Sequence, residues 1–262
     1  MPQTSPLLNV MIAAARKTAR ALSRDFGEIE NLQVSRKGPA DFVSAADLKA
    51  EKTLFEELSK GRPGYGFQME ERGTVEGTDK TNTWHVDPLD GTTNFLHGIP
   101  HFAISIGLER EGVLVAGVVY NVIRDELFWA EKGQGAYLND RRIRVAARSE
   151  MRDSIFACGT PFLGKPGHEQ ALTEIGRVIA KSAGVRRLGA ASLDMAYVAA
   201  GRFDGYWERG LNSWDVAAGA VIVREAGGFV KEIDGGDFLK TGAVIAANER
   251  LLPQLTQTVR GA

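Results

Sequence analysis

The acidic segment at residues 84–95, Trp-His-Val-Asp-Pro-Leu-Asp-Gly-Thr-Thr-Asn-Phe, places Asp87 and Asp90 three positions apart, directly before Gly91. Pro88 disfavours helical geometry at Asp87, so the segment predicts a strand end, a sharp turn at Asp90-Gly91 and a helix that begins at the threonines. Two carboxylates beside backbone N–H groups at a helix start can hold hard cations and a phosphate together. That combination is typical of metal-assisted phosphoester chemistry, although an ordinary Asp-Gly turn has the same local sequence.

Three further acidic positions fall at the ends of predicted elements. Asp47 follows Ser44 by three positions at a predicted helix start, a spacing that a capping box also explains. Glu70 and Glu71 follow a short predicted strand, where a solvated surface loop is the simpler alternative. Asp215 lies in the first turn of a predicted helix, where the helix dipole favours it whether or not it binds anything. Each position has a structural explanation, so only their joint occurrence indicates a site.

The composition excludes several classes of protein. The 262 residues are 44% hydrophobic with a formal net charge of -1, so we expect a large core and no direct nucleic-acid binding. Cys158 is the only cysteine, which excludes a disulfide framework and a cysteine zinc site. Residues 1–5 lack a basic patch followed by an apolar core, so no secretory signal is expected, and no run of about 18 apolar residues that could span a membrane occurs. These features predict a soluble cytoplasmic protein.

The hydrophobic pattern predicts how the chain positions these residues. Apolar residues at helical spacing predict amphipathic helices at 7–26 and 44–60. Short β-branched and aromatic runs at 102–108, 113–120 and 126–130, joined by tight turns, predict an antiparallel sheet. After about residue 149, strands and helices alternate, which predicts a second sheet with helices packed on it. The sequence therefore indicates a layered α/β protein with two sheets.

Four segments, taken together, carry a family resemblance. In chain order they are Asp41-Phe-Val-Ser-x-x-Asp47, Glu70-Glu71, residues 84–95, and Trp214-Asp215-x-Ala-Ala-Gly219 with Glu225-Ala-Gly-Gly228. This order resembles the inositol monophosphatase family, most closely its bacterial extragenic-suppressor branch, over nearly the whole chain. The resemblance implies an α/β/α/β/α sandwich with an N-terminal antiparallel sheet and a C-terminal mixed sheet. It also implies a single domain over 1–262, with a metal- and phosphate-binding half at 1–148 and a substrate-lining half at 149–262.

The same resemblance implies the ligands of two or three Mg²⁺ ions. One ion would be held by Glu70, Asp87 and the backbone carbonyl of Leu89. A second would be held by Asp87, Asp90 and Asp215, and a third, weaker ion would lie near Glu70. Oxygen ligands with several retained waters suit Mg²⁺. No histidine or cysteine is expected among the ligands, and the four histidines are predicted to be structural or solvated.

Roles in catalysis and substrate binding follow from the resemblance as well. Asp47 and Thr92 would position the attacking water, with Glu70 as the third catalytic residue. The N–H groups of Gly91 and Thr92 would bind phosphate oxygens. Further residues would line the substrate pocket, namely Gly189, Ala191 and Glu208, the last in contact with inositol hydroxyls. Ala190 stands where many relatives carry a serine or threonine, so one hydroxyl contact is expected to be missing.

The expected function is Mg²⁺-dependent hydrolysis of inositol monophosphate, with inhibition by lithium. Two alternatives remain open from the sequence. One is a related phosphatase that acts on sugar bisphosphates or phosphoadenosine nucleotides. The other is a non-catalytic role in transcription antitermination through factors associated with RNA polymerase. The resemblance also implies a homodimer.

Overall fold

The computed structural model describes residues 4–28, 34–38 and 41–261, with the backbone alone at 34–38 and 41–43. This description does not include residues 1–3. It also leaves out the side chains of residues 41–43, with which the first family-like segment begins. The helices are α1 (Pro6–Phe26), α2 (Ala45–Gly61), α3 (Thr92–Leu96), α4 (His168–Ile179), α5 (Ala191–Ala199), α6 (Ser213–Glu225), α7 (Phe238–Thr241) and α8 (Leu251–Arg260). No helix in these ranges is long and apolar enough to cross a membrane.

The strands cover most of the middle of the chain and part of its C-terminal half. The first ten are β1 (Val34–Gly38), β2 (Asp41–Ser44), β3 (Tyr65–Met69), β4 (Gly73–Val75), β5 (Asp79–Asp90), β6 (Ala103–Arg110), β7 (Val113–Asn121), β8 (Glu126–Glu131), β9 (Gly135–Leu138) and β10 (Arg141–Ile143). The others are β11 (Ile155–Cys158), β12 (Gly184–Arg186), β13 (Gly205–Glu208), β14 (Phe229–Glu232) and β15 (Val244–Ala247).

The elements stack as alternating layers of helices and sheets. Helices α1 and α2 pack on the larger sheet, α5 and α6 lie between the two sheets, and α4 and α8 cover the outer face of the smaller sheet. A separate apolar cluster fills each of these interfaces, because each sheet is buried on both faces. The predicted α/β/α/β/α sandwich with two sheets is therefore confirmed.

The larger sheet differs in one respect from the prediction. Its strand order is β10-β9-β8-β7-β6-β5-β3-β4. Strands β3 and β5 pair in parallel, and all other neighbouring strands of this sheet pair antiparallel. The sheet is therefore mixed, and the expectation of a purely antiparallel N-terminal sheet was wrong. The chain leaves β3 through the β4 hairpin and returns on the opposite side of β3, which makes β5 run parallel to it.

The smaller sheet is mixed, as predicted. Its order is β12-β11-β13-β15-β14, in which β11 is parallel to both of its neighbours and β15 is antiparallel to both of its neighbours. Strand β14 and helix α7 were not predicted, because they are short and lie among turn residues. Cys158 is fully buried on β11.

Helix α6 is the central element of the core and carries Asp215 in its first turn. Its residues from Val216 to Val223 are all buried, so its apolar surface extends all round, as expected for a helix between two sheets. Gly107 on β6 allows the helix to lie directly on the larger sheet. A Cβ at this position would be 2.7 Å from the Cβ of Ala217. The absence of a side chain there fixes how closely α6 approaches the strands that carry the other acidic residues.

Candidate active site

The end of β5 places Asp87 and Asp90 around a local bulge. Asp87 pairs with Ser105 of β6 and Asp90 pairs with Ala103, so β5 has one residue more than β6 between these pairs. The extra residue falls at Pro88-Leu89, where proline cannot donate to the ladder. The Leu89 N–H instead donates to Asp87 Oδ1 over 2.9 Å. The strand consequently continues to Asp90, three residues beyond the predicted end.

The turn after β5 has the predicted form. Gly91 adopts a left-handed conformation with φ of 96°, and α3 begins at the next residue. A side chain at Gly91 would be strained by this φ and would lie 3.1 Å from the carbonyl oxygen of His101. Helix α3 has only five residues, so its dipole is small and the local backbone N–H groups are the relevant donors.

Asp47 completes a helix cap and also contacts Thr92. Its Oδ2 accepts from the Ser44 N–H over 2.8 Å, which completes the capping box of α2. Its Oδ1 accepts from the Thr92 hydroxyl over 3.0 Å. The same hydroxyl lies 3.0 Å from the Leu89 carbonyl oxygen, the other acceptor available to its single hydrogen. Burial raises the pKa of Asp47, and the hydrogen bonds from Ser44 and Thr92 partly offset this effect.

Asp90 is held by the first turn of α5, which belongs to the other half of the chain. Its carboxylate accepts from the N–H groups of Ala191 over 3.1 Å and of Ser192 over 2.8 Å, and also from the Ser192 hydroxyl. Burial raises the pKa of Asp90 to about 6, while the bonds from Ser192 and Ala191 act in the opposite direction. Ser192 was missed in the sequence, although a serine in the first turn of a predicted helix is a common capping signal.

Glu70 and Asp215 approach from two other elements. Glu70 directly follows β3 and is half-buried. Glu51 of α2 holds the turn after Glu70, because its Oε2 accepts from the Glu71 N–H over 2.8 Å. Asp215 is half-buried, and its Oδ2 accepts from the Asn212 N–H over 2.7 Å. Glu51 was also missed, since no local pattern links a residue on α2 to this turn.

Four acidic side chains lie near enough to one another for their charges to interact. Burial raises the pKa of Asp87 well above its ordinary value, and the charges of Glu70, Asp90 and Asp215 raise it further. The pKa of Asp215 is also raised, mainly by burial and in addition by the charges of Asp90 and Glu70. Such mutual repulsion is relieved either by protonation or by bound cations. The structure thus brings Glu70, Asp87, Asp90 and Asp215 into one electrostatic cluster.

The donors in this cluster fit a hard divalent cation that keeps part of its water. They are carboxylate oxygens and the Leu89 carbonyl, the ligand type that Mg²⁺ prefers. Within residues 4–28, 34–38 and 41–261, no group of three or more His, Cys, Asp or Glu side chains is placed so that it could hold a metal ion. Mg²⁺ needs fewer protein ligands, since it is usually bound through one or two carboxylates together with waters and substrate oxygens.

A cavity of about 740 Å³ opens beside the cluster. Its lining includes eight of the predicted site residues, namely Glu70, Asp90, Gly91, Thr92, Gly189, Ala191, Glu208 and Asp215. The remaining three, Asp47, Asp87 and Leu89, are buried and bonded to the lining or to one another. The lining also contains three cationic side chains that were not predicted, Lys165, Arg187 and Arg209.

Glu208 lies at the end of β13 and faces this cavity. Its Oε2 accepts a hydrogen bond from the hydroxyl of Tyr206, two positions earlier on the same strand. Burial raises the pKa of Glu208 to about 7, and the nearby Arg187 partly counteracts this. Glu208 can therefore accept hydrogen bonds from hydroxyl groups when ionised and can also donate one when protonated.

Comparisons with known proteins identify the family of this chain. The model of the inositol monophosphatase family matches residues 3–262. An inositol-1-monophosphatase from Mesorhizobium japonicum is 60% identical over 257 residues, which cover 98% of this chain and 97% of the relative. The Nus factor SuhB of Escherichia coli is 41% identical over 256 residues, which cover 97% of this chain and 96% of the relative.

A solved structure supports the same assignment. The crystal structure of the extragenic suppressor protein suhB from Bartonella henselae matches with a TM-score of 0.95 and 56% identity, covering 98% of this chain and 99% of that chain. The family match, the identities and the common fold all extend over almost the full length. This chain therefore belongs to the inositol monophosphatase family.

Proposed function

We propose that this protein hydrolyses inositol monophosphate to inositol and phosphate with the help of Mg²⁺. Its family and its relatives named inositol-1-monophosphatase make it an inositol-phosphate phosphatase by class. The observation that carries the proposal is the convergence of Glu70, Asp87, Asp90 and Asp215 beside Gly91 and Thr92 at one cavity.

The metal ions would be held by the acidic cluster and one carbonyl. The residues are Glu70, Asp87, Leu89, Asp90 and Asp215, for two or three ions in all. When bound, such ions acidify a water, neutralise the phosphate and stabilise the departing alkoxide. The raised pKa values of Asp87 and Asp215 support this assignment, because bound cations would relieve the repulsion among these carboxylates.

Thr92 and Asp47 would orient the attacking water. The Thr92 hydroxyl donates to Asp47, so its lone pairs remain able to accept a hydrogen bond from a water in the cavity. A proton released by that water can pass to Thr92 while Thr92 passes its own proton to Asp47. Burial raises the pKa of Asp47, which favours it as the final proton acceptor. Glu70, which also lines the cavity, would help to position the same water.

The substrate would lie between the two halves of the chain. The N–H groups of Gly91 and Thr92 would bind phosphate oxygens, in the half that ends at residue 148. Glu208 would accept hydrogen bonds from inositol hydroxyls, with Gly189 and Ala191 beside it in the half from residue 149 to 262. The cavity of about 740 Å³ is large for one inositol ring, so other phosphate monoesters are expected to enter.

A phosphate-release screen tests the proposal. We expect turnover of inositol 1-phosphate with Mg²⁺, none without it, and inhibition by lithium. Asp90→Asn should abolish turnover, whereas Glu76→Gln, at an exposed carboxylate paired with Lys80, should leave it unchanged. A preference for fructose 1,6-bisphosphate or phosphoadenosine phosphate would reject inositol monophosphate in favour of those substrate classes.

A second function is suggested by the relatives named Nus factor SuhB, which are about as long as this chain. We propose a contact with the transcription antitermination machinery as the alternative role, made through protein surfaces because the formal net charge is -1. Pull-down with RNA polymerase and its antitermination factors tests this contact. If Asp90→Asn retains the cellular phenotype of the wild type, the contact and not the chemistry is the main role.

Two further properties complete the proposal. We propose that the protein is a homodimer, which sedimentation or light scattering of the purified protein would test. We also propose that it resides in the cytoplasm, which fractionation of the source cells would test.

A further inference from the structure

His85, a histidine with no role in the proposed chemistry, connects the two elements that carry Asp87 and Asp215. His85 precedes Asp87 by two positions on β5, so both side chains project from the same face of the strand. Ser213 precedes Asp215 by two positions at the start of α6. His85 is only 4% exposed, and its Nδ1 lies 2.9 Å from the Ser213 hydroxyl oxygen. The strand of Asp87 and the helix of Asp215 are thus joined side chain to side chain.

Glu109 determines the direction of these hydrogen bonds. Its Oε2 lies 3.2 Å from His85 Nε2, and the hydrogen bond with His85 lowers the pKa of Glu109. An ionised carboxylate only accepts, so the imidazole carries its hydrogen on Nε2. Nδ1 then accepts the hydroxyl hydrogen of Ser213. The order Ser213, His85, Glu109 forms one continuous chain of donors and acceptors.

A second hydrogen bond fixes the same helix turn from the neighbouring strand. Ser105 is the direct cross-strand partner of Asp87, and its hydroxyl donates to the Trp214 carbonyl oxygen over 3.1 Å. The two residues that precede Asp215 are therefore each bonded to the larger sheet. Gly107, the cross-strand partner of His85, lets α6 approach closely enough for both bonds.

We propose that His85, with Ser213 and Glu109, is a positioning residue that sets the separation of the Asp87 and Asp215 carboxylates and thereby the affinity for divalent cations. This inference rests on the proposed function. Two carboxylates that share a cation must be held at one separation, and residues behind the ligands commonly change metal affinity by about 10- to 100-fold. The trio orients ligands and is not a nucleophilic triad, since the lining of the cavity includes Asn212 and Trp214 on either side of Ser213 but not Ser213 itself.

Calorimetric titration of the folded, metal-free protein with Mg²⁺ tests the inference directly. Ser213→Ala and His85→Leu should each weaken Mg²⁺ binding by about 10- to 100-fold. Ser213→Thr keeps the hydroxyl and His85→Asn keeps an acceptor near the Nδ1 position, so each should recover part of the loss. His168→Leu, at an exposed histidine, is the matched control and should bind Mg²⁺ like the wild type.

Kinetics separate positioning from a general structural role. The Mg²⁺ concentration for half-maximal activity should rise in Ser213→Ala, while KM for inositol 1-phosphate at saturating Mg²⁺ should stay unchanged. The ¹⁵N spectrum of the wild type should show the hydrogen of the His85 ring on Nε2, facing Glu109. Unchanged Mg²⁺ affinity in Ser213→Ala, or a hydrogen on Nδ1, would overturn the inference even if His85→Leu failed to fold. If the wild type did not bind Mg²⁺ at all, both the proposed function and the inference about His85 would be rejected.

Discussion

The hydroxyl of Thr92 donates to the carboxylate of Asp47 over 3.0 Å, although the two residues lie 45 positions apart in the chain. This bond joins the first turn of α2 to the first turn of α3. The Asp47 carboxylate completes the capping box of α2 through Oδ2 and aligns the Thr92 hydroxyl through Oδ1.

Removal of the Thr92 hydroxyl should slow the reaction without unfolding the protein. We expect Thr92→Val, which preserves the side-chain shape, to lower kcat by at least about 100-fold, the usual contribution of a positioned proton-transfer group. Thr92→Ser retains the hydroxyl and should keep most of the activity. Steady-state kinetics with inositol 1-phosphate at saturating Mg²⁺ provide the measurement. Equal kcat values for the valine and serine variants would exclude the relay to Asp47.

Ser192 should stabilise the fold through Asp90. Ser192→Ala removes a buried hydrogen bond to a carboxylate, and we expect a loss of about 1.5–3 kcal/mol in the free energy of unfolding. Ser182→Ala is the matched control, because the buried Ser182 hydroxyl has no hydrogen-bond partner in the described part of the chain. Urea unfolding measures both variants. The prediction fails if the two substitutions cost the same free energy.

The acidic cluster should make stability depend on pH and on Mg²⁺. Burial raises the pKa of Asp90 to about 6, and the pKa values of Asp87 and Asp215 are also raised. A carboxyl group whose pKa is higher in the folded state stabilises the fold at low pH, and this contribution is lost as the pH rises through the folded-state pKa. We therefore expect the Tm of the metal-free protein to fall as the pH rises from about 4, the ordinary pKa of an aspartate, through the folded-state pKa of Asp90 at about 6.

Binding of Mg²⁺ should reverse this loss, because cations replace protons as the compensating charge. The increase in Tm on addition of Mg²⁺ should thus be larger at the higher pH, as measured by scanning calorimetry. Asp90→Asn should make the metal-free profile flatter. A Tm that is independent of both pH and Mg²⁺ would show that the carboxylates do not share a site.

Gly107 should be required for the position of α6. We expect Gly107→Ala to cost about 1–3 kcal/mol in the free energy of unfolding, because the added Cβ would lie 2.7 Å from Ala217 Cβ and 3.0 Å from the Ala218 nitrogen. Gly176→Ala in α4 is the control, since a Cβ there meets nothing within 4 Å and should stabilise the helix slightly. Similar unfolding free energies for the two variants would contradict the close packing of α6.

Much of the fold was predictable because its signals are local. Helix α1, with its apolar residues at helical spacing, was expected at 7–26 and is observed at Pro6–Phe26. Strand β11 has its predicted bounds, Ile155–Cys158. The parallel pairing of β3 with β5 was not predictable in this way, since the hydrophobic pattern of a strand does not reveal on which side its neighbour lies.

The sequence by itself determined which acidic residues occur at strand and helix ends, and with them the family and the class of chemistry. Backbone preferences of residues such as Pro88 and Gly91 act over a few positions, so they can be recognised without a structure. Only the tertiary structure decided that Ser192 holds Asp90 across 102 positions and that His85 meets Ser213 across 128. Those contacts depend on how the helices pack between the two sheets, and packing is a property of the whole chain.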